Sequence, residues 1–241
     1  MCLLSYLPPA SSLSRRDCIN ASRSNPDGAG IAYSDGERVH IIKSPKWSGE
    51  RVYDELERLR AFPRIAHWRY ATHGSVVAEN AHPFAVAGVY GAAHNGVIST
   101  VNLPVNDVIR RDESDTRFFL RTVAAPLIHE LGTINKLATD YMGELVGSHN
   151  KLAFIAPTGE VHLVNESSGH WITGDAGRIW VSNTHSLDSY WTGGSVKSYS
   201  RPAIIASHYT PDCSFCGVGL YAVNVTDDGD ILCDACAEDC D

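Results

Sequence analysis

The chain has 241 residues, of which 44% are hydrophobic and 20% charged, and a formal net charge of −8. That balance belongs to a globular protein long enough to bury a full core, and it excludes a disordered or collagen-like chain. No apolar run approaches the ~20 residues of a membrane-spanning helix, and the N-terminus lacks the basic–apolar–small order of a secretory signal, so a cytoplasmic setting is expected.

Charge and cysteine are unevenly placed. Ser207 to Asp241 holds eight acids and neither Lys nor Arg, while residues 1–206 carry 20 acids against 20 bases. Of seven cysteines, Cys2 and Cys18 lie near the start and five fall between Cys213 and Cys240. The asymmetry predicts two units, residues 1–206 and 207–241. An odd, clustered cysteine set without an export signal points to metal and chemistry rather than disulfides.

In chain order, Cys2–Leu7 reads as a short strand stopped by Pro8-Pro9. Asn25–Gly30 is a turn-rich loop feeding Ile31-Ala32-Tyr33, and Ser34–Glu37 reads as a hairpin turn into Val39–Ile42. Leu56 and Leu59, with charges between, give Tyr53–Phe62 a helical spacing that Pro63 ends. Arg64–Tyr70 and Val89–His94 read as buried strands around a long polar loop, Ala71–Pro83, of the kind that often carries function. Ser114-Asp115 resembles a helix start, with Phe118, Phe119, Val123 and Leu127 on one stripe, and a second helix is expected over Ile134–Leu145. Strand-like Leu152–Ala156, Val161–Val164, Trp171–Thr173 and Ile179–Ser182 follow. Strands, two helices and more strands suggest a layered α+β domain.

Cys2 follows the initiator Met1, and a small residue at position 2 usually lets that methionine be trimmed. One residue would then supply a thiol nucleophile and an α-amine titrating near ~7.7–8.0 that can act as its base. Read alone, it fits an apolar cysteine opening a strand better than a nucleophile. Four further segments supply complementary chemistry: His67–Gly74, Asn80-Ala81-His82-Pro83, His94-Asn95-Gly96 and Glu113–Thr116. The Asn95 amide and Gly96 N–H could hold an oxyanion, Arg69 could grip an α-carboxylate with its planar fork, and Asp115 could accept an α-ammonium. Individually, each has a bland reading as turn, surface ion pair or helix cap.

Taken in order, Cys2, Arg69-Tyr70-Ala71-Thr72-His73-Gly74, Asn80–Pro83, His94-Asn95-Gly96 and Ser114-Asp115-Thr116 resemble class II glutamine amidotransferases, which are N-terminal nucleophile hydrolases. The 67–83 wording is especially similar to the glutaminase domain of glucosamine-6-phosphate synthases, with Tyr70 standing where those have tryptophan. The resemblance implies a four-layer αββα sandwich. It implies that Cys2 attacks the side-chain amide of L-glutamine to give a glutamyl thioester and ammonia, without a cofactor. Asn95 and Gly96 would form the oxyanion hole, Arg69 with Thr72 and His73 would hold the α-carboxylate, and Asp115 with Gly96 would take the α-ammonium. Asn80 and His82 read as loop-shaping, and His67 and His94 as satisfied core histidines. Residues 121–206 read as the rest of the same sandwich, so the ammonia is expected to pass to a separate synthase partner.

At the other end, Cys213-Ser214-Phe215-Cys216 and Cys233-Asp234-Ala235-Cys236 are two CxxC pairs separated by 16 residues. That spacing fits a structural tetrathiolate zinc ribbon, with Leu220–Val225 and Ile231-Leu232 as hairpin strands and Cys240 spare or substituting for one ligand. Without any basic side chain the segment is a poor nucleic-acid binder, and it reads as a stability or docking module. Two alternatives stand beside the glutaminase: a γ-glutamyl peptide or conjugate hydrolase using the same nucleophile, and an inactive adaptor docking partners through the ribbon.

Overall fold

A computed structural model describes residues 2–71, 75–110, 112–174 and 176–188, together with short strands at 224–225 and 231–232. The chain divides into two compact units, Met1–Gly193 and Gly194–Asp241. The boundary expected at residues 206 and 207 lies outside the described residues, as do Thr72, His73 and all four expected zinc ligands, Cys213, Cys216, Cys233 and Cys236.

The first unit is α+β and is built on two antiparallel sheets. One has six strands: β1 (Leu3–Leu7), β2 (Ala29–Ser34), β3 (Val39–Ser44), β4 (Arg64–Trp68), β9 (His170–Thr173) and β10 (Arg178–Val181), in the order β3-β2-β4-β1-β10-β9. The other has four: β5 (Phe84–Val86), β6 (Tyr90–Asn95), β7 (Lys151–Ile155) and β8 (Val161–Val164), in that order.

Three apolar clusters stack the layers. Strand alternation sends Leu4, Ala32, Ile65, Ala93, Ala153 and Ile155 into a core between the sheets. The opposite face of the six-stranded sheet, including Leu3, Leu7 and Ile31, packs under α1 (Arg15–Ser24) and α2 (Gly49–Arg58) through Cys18, Ala21, Val52 and Leu56. The outer face of the four-stranded sheet packs under α3 (Asp115–Phe119), a π-helical segment (Leu120–Ala124), α4 (Ala125–Leu131) and α5 (Lys136–Val146). The order is helices, sheet, sheet, helices, as the resemblance implies.

The stripe of Phe118, Phe119 and Val123 is buried as its spacing requires, beginning at the Ser114 cap. The helix expected over Tyr53–Phe62 starts earlier, at Gly49, because Ser48 caps it by accepting from Arg51 N–H. Among the described residues, one α-helix and one strand have no counterpart in the sequence reading. Helix α1 is sparsely apolar, but Ser14 accepts from the Asp17 N–H, a cap that marks its start. Strand β5 is three residues long, too short for period-two alternation to register.

In the second unit, β11 (Asn224–Val225) and β12 (Ile231–Leu232) pair antiparallel, Asn224 opposite Leu232 and Val225 opposite Ile231. The pair falls within the segments read as hairpin strands. No helix among the described residues is long and apolar enough to cross a membrane.

Candidate active site

Sheet register carries the expected residues to one end of the sandwich. Leu3 pairs with Trp68, so antiparallel β1 and β4 place Cys2 beside Arg69 and Tyr70. The Tyr70 N–H donates to Cys2 Sγ at 3.2 Å, and the thiol lies 3.4 Å from the Tyr70 carbonyl as its acceptor. Burial dominates and raises the Cys2 thiol pKa above its ordinary value; the Tyr70 N–H, the positive charge of the chain's N-terminus and Arg69 pull against that shift without cancelling it. The sulfur thus sits where a thiolate has both a hydrogen-bond donor and nearby cations.

Arg69 is 3% exposed. Its backbone is clamped to the loop before β2: Arg69 N–H donates to the Gly28 carbonyl at 2.8 Å, and Asp27 N–H donates to the Arg69 carbonyl at 3.0 Å. Asp27 also accepts from the Ala71 N–H at 2.6 Å. The Arg69 guanidinium reaches the Ser75 carbonyl at 3.1 Å. Burial lowers the Arg69 pKa, and Asp27, Cys2 and Asp115 oppose that shift. Those interactions put Asp115 and Cys2 in the electrostatic neighbourhood of one guanidinium.

Asn95 ends β6, and Gly96 follows at φ +147°, where a Cβ would come within 2.1 Å of Asn150 Oδ1. Glycine is required there on both counts. Asp115 opens α3 and is 9% exposed; its carboxylate accepts the N–H groups of Ile98 at 2.7 Å and Thr116 at 2.8 Å. Helix and strand are joined by His94, whose Nδ1 is 2.9 Å from Thr116 Oγ1.

Loop 78–83 behaves as its shaping role requires. Asn80 Nδ2 donates to the carbonyls of Ser75 at 3.2 Å and Asp112 at 3.0 Å, tying two loops beside Arg69 together. His67 Nε2 donates to the His94 carbonyl at 2.9 Å, and the His67 and His82 rings lie 4.1 Å apart between centroids. His94 is satisfied at both ring nitrogens. His67 departs from the expectation of a satisfied ring, since among the described residues its Nδ1 finds no hydrogen-bond partner; neither do the two ring nitrogens of His82, which was read as loop-shaping. Burial pushes the His67 pKa down to about 3 and that of His82 well below the ordinary histidine value.

Ser182 and Asn183, which follow β10, escaped the sequence reading. Asn95 Nδ2 donates to Ser182 Oγ at 2.7 Å, and the same oxygen accepts the Leu4 N–H at 3.0 Å. Asn183 Nδ2 donates to the Cys2 carbonyl at 2.8 Å. These bonds tie the strand that follows Cys2 in one sheet to Asn95 in the other. Ser-Asn-Thr is ordinary loop wording, and only the register Ser5 opposite Val181 reveals where it lands. Asp27 was likewise hidden in a turn-rich loop.

Residues 10–116 match the family model of Glutamine amidotransferases class-II. The amidophosphoribosyltransferase of Methanocaldococcus jannaschii is 34% identical over 110 residues, 44% of this chain and 22% of that protein. The glutamine–fructose-6-phosphate aminotransferase of Bacillus subtilis is 33% identical over 106 residues, 40% of this chain and 17% of that protein. The chain thus aligns with about a fifth of the length of these curated relatives. Among solved structures, the allosteric regulatory enzyme of purine biosynthesis gives a TM-score of 0.50 at 20% identity, covering 76% of this chain and 42% of that one. That likeness bears on the fold alone. Residues 10–116 are thus similar to class II glutamine amidotransferases, and the curated relatives they match are named as transferases.

Proposed function

We propose that this class II glutamine amidotransferase domain works as a glutaminase with Cys2 as its nucleophile, and that the ammonia it releases serves a separate acceptor enzyme. The observation that carries the reading is the Tyr70 N–H donating to Cys2 Sγ, with Arg69 next to it in sequence and Asn95 bound to the Cys2 strand through Ser182.

In the proposed reaction, Met1 is removed and the freed α-amine takes the Cys2 thiol proton. The sulfur attacks the glutamine side-chain carbonyl, forming a C–S bond and a tetrahedral oxyanion. The second Nδ2 hydrogen of Asn95 and the Gly96 N–H stabilise that oxygen, while Arg69, Thr72 and His73 hold the α-carboxylate and Asp115 and Gly96 the α-ammonium. The C–N bond breaks as the α-ammonium of Cys2 returns the thiol proton to the leaving nitrogen, which departs as ammonia. Water then attacks the thioester, giving glutamate and restoring the thiol.

Residues 151–181 complete the two sheets, so Leu3–Val181 form one sandwich, and the acceptor is proposed to lie outside that sandwich. For residues 207–241 the proposal is a zinc ribbon held by Cys213, Cys216, Cys233 and Cys236, resting on their spacing; four thiolate ligands close the metal, so it supplies stability or docking.

Intact mass before and after treatment with a glutamine-analogue chloroketone tests the chemistry. The expected result is a chain lacking Met1 that takes one adduct, mapped to Cys2. A retained methionine, or glutamine hydrolysis that persists in Cys2→Ala, overturns the mechanism. Comparing glutamine with a γ-glutamyl dipeptide separates a glutaminase from a γ-glutamyl hydrolase. Metal analysis of the purified chain tests the ribbon, with one zinc per chain expected and loss on Cys213→Ser.

A further inference from the structure

His94 takes no part in the reaction just described, yet its ring stands between the two halves of the substrate site. Asn150 Nδ2 donates to the Val146 carbonyl, which fixes the amide and turns its Oδ1 towards His94. That oxygen can only accept, so His94 Nε2, 2.9 Å away, carries the ring hydrogen. Burial lowers the His94 pKa, which keeps the ring neutral and leaves Nδ1 as an acceptor. Thr116 Oγ1, 2.9 Å from Nδ1, therefore gives its single hydrogen to the ring.

Each end of this chain of bonds reaches a substrate-binding group. Thr116 Oγ1 lies 3.5 Å from Asp115 Oδ1 but has no hydrogen left for it. Asp115 keeps the backbone N–H groups of Ile98 and Thr116, and its remaining lone pairs are left for a cation. At the other end, Asn150 Oδ1 is the wall against which Gly96 packs, close enough that a Cβ would overlap it.

We propose that His94 is a positioning residue for glutamine, setting Asp115 through Thr116 with one ring nitrogen and setting Gly96 through Asn150 with the other. The inference rests on the roles proposed above for Asp115 and Gly96. Its two arms are chemically separable. An asparagine at 94 places its amide near the position of Nδ1 and keeps the Thr116 arm, whereas a glutamine reaches the position of Nε2 and keeps the Asn150 arm.

The experiment is steady-state kinetics on the full chain with glutamine for the wild type, His94→Asn, His94→Gln and Thr116→Val, alongside ¹⁵N NMR of the wild-type His94 ring. We expect His94→Asn to lower kcat about tenfold with KM little changed. His94→Gln and Thr116→Val should raise KM about tenfold with kcat little changed. The ring should be the neutral Nε2–H tautomer. If glutamine is turned over but the variants match the wild type, or lose kcat and KM alike, the positioning role is wrong and the proposed function stands. An Nδ1–H or doubly protonated ring overturns it as well. Should the His94 variants not fold, Thr116→Val and the NMR tautomer decide. A wild type that neither hydrolyses glutamine nor is alkylated at Cys2 removes the proposed function, and this inference with it.

Discussion

The side-chain amide of Asn95 donates to Ser182 Oγ at 2.7 Å, across the interface between the two sheets. Ser182 Oγ also accepts the Leu4 N–H, so one hydroxyl fixes both the strand that begins after Cys2 and the amide proposed to meet the oxyanion. Asn95 has two amide hydrogens; with one held by Ser182, the other has a defined direction. Ser182→Ala should lower kcat for glutamine about tenfold or more while KM moves little, because the lost constraint acts on the oxyanion. Leaving the buried Leu4 N–H without an acceptor should also destabilise the fold by about 1–3 kcal/mol, read by urea unfolding. An unchanged kcat would dissociate Ser182 from Asn95 function.

Gly96 and Gly36 make a controlled pair. Both have positive φ, +147° and +98°, but a Cβ on Gly36 meets nothing within 4 Å, while one on Gly96 would overlap Asn150 Oδ1. Gly36→Ala should bring only backbone strain of about 1 kcal/mol, with activity retained. Gly96→Ala adds overpacking to strain, for a loss of about 3 kcal/mol or more, and should abolish turnover. Urea midpoints and glutamine assays on the two variants check the contrast; equal effects would mean that Asn150 yields freely.

Arg69 should not tolerate lysine. Its guanidinium donates to the Ser75 carbonyl and feels the negative charge of Asp27, Cys2 and Asp115, and a single ammonium lacks the planar fork to keep that bond while gripping a carboxylate. Arg69→Lys should raise KM for glutamine about a hundredfold, and an analogue lacking the α-carboxylate should lose the distinction between wild type and variant. A variant with unaltered KM would remove Arg69 from α-carboxylate binding.

The layers of the fold were legible because the strands carry strong apolar runs and the stripe of Phe118, Phe119 and Val123 announces a packed helix. Helix α1 was not, since only Cys18 and Ala21 of its ten residues join the core and its capping pair, Ser14 and Asp17, is common in loops. Cys2, Arg69, Asn95, Gly96 and Asp115 were legible as types matched to a reaction. Ser182, Asn183 and Asn150 were not, because they act by hydrogen bonds that close across long sequence separations, 178 residues for Leu4 and Ser182. Their identities carry no signal until the register is known. His82 shows the same limit from another side: its motif was readable, but its burial without a hydrogen-bond partner among the described residues was not.

That burial makes stability depend on pH. In the unfolded chain each histidine titrates near ~6.5. In the folded chain His67 stays neutral down to about pH 3, and His82 is held well below its ordinary value, both mainly by burial. Below pH 6.5 the unfolded state therefore binds protons that the folded state refuses, and stability falls as pH falls through this window; above it these groups contribute no slope. Each such proton is worth up to about 1.4 kcal/mol per pH unit. His82→Phe keeps an aromatic ring against His67 and Phe84, whose centroids lie 4.1 and 4.5 Å away, and removes one titrating group. Urea unfolding at pH 5, 6, 7.5 and 8.5 should show a slope shallower by about 1 kcal/mol per pH unit between pH 5 and 6, and no change in slope between pH 7.5 and 8.5. If the acid slope of the variant equals that of the wild type, His82 takes up its proton in the folded state and the cavity around it must admit water.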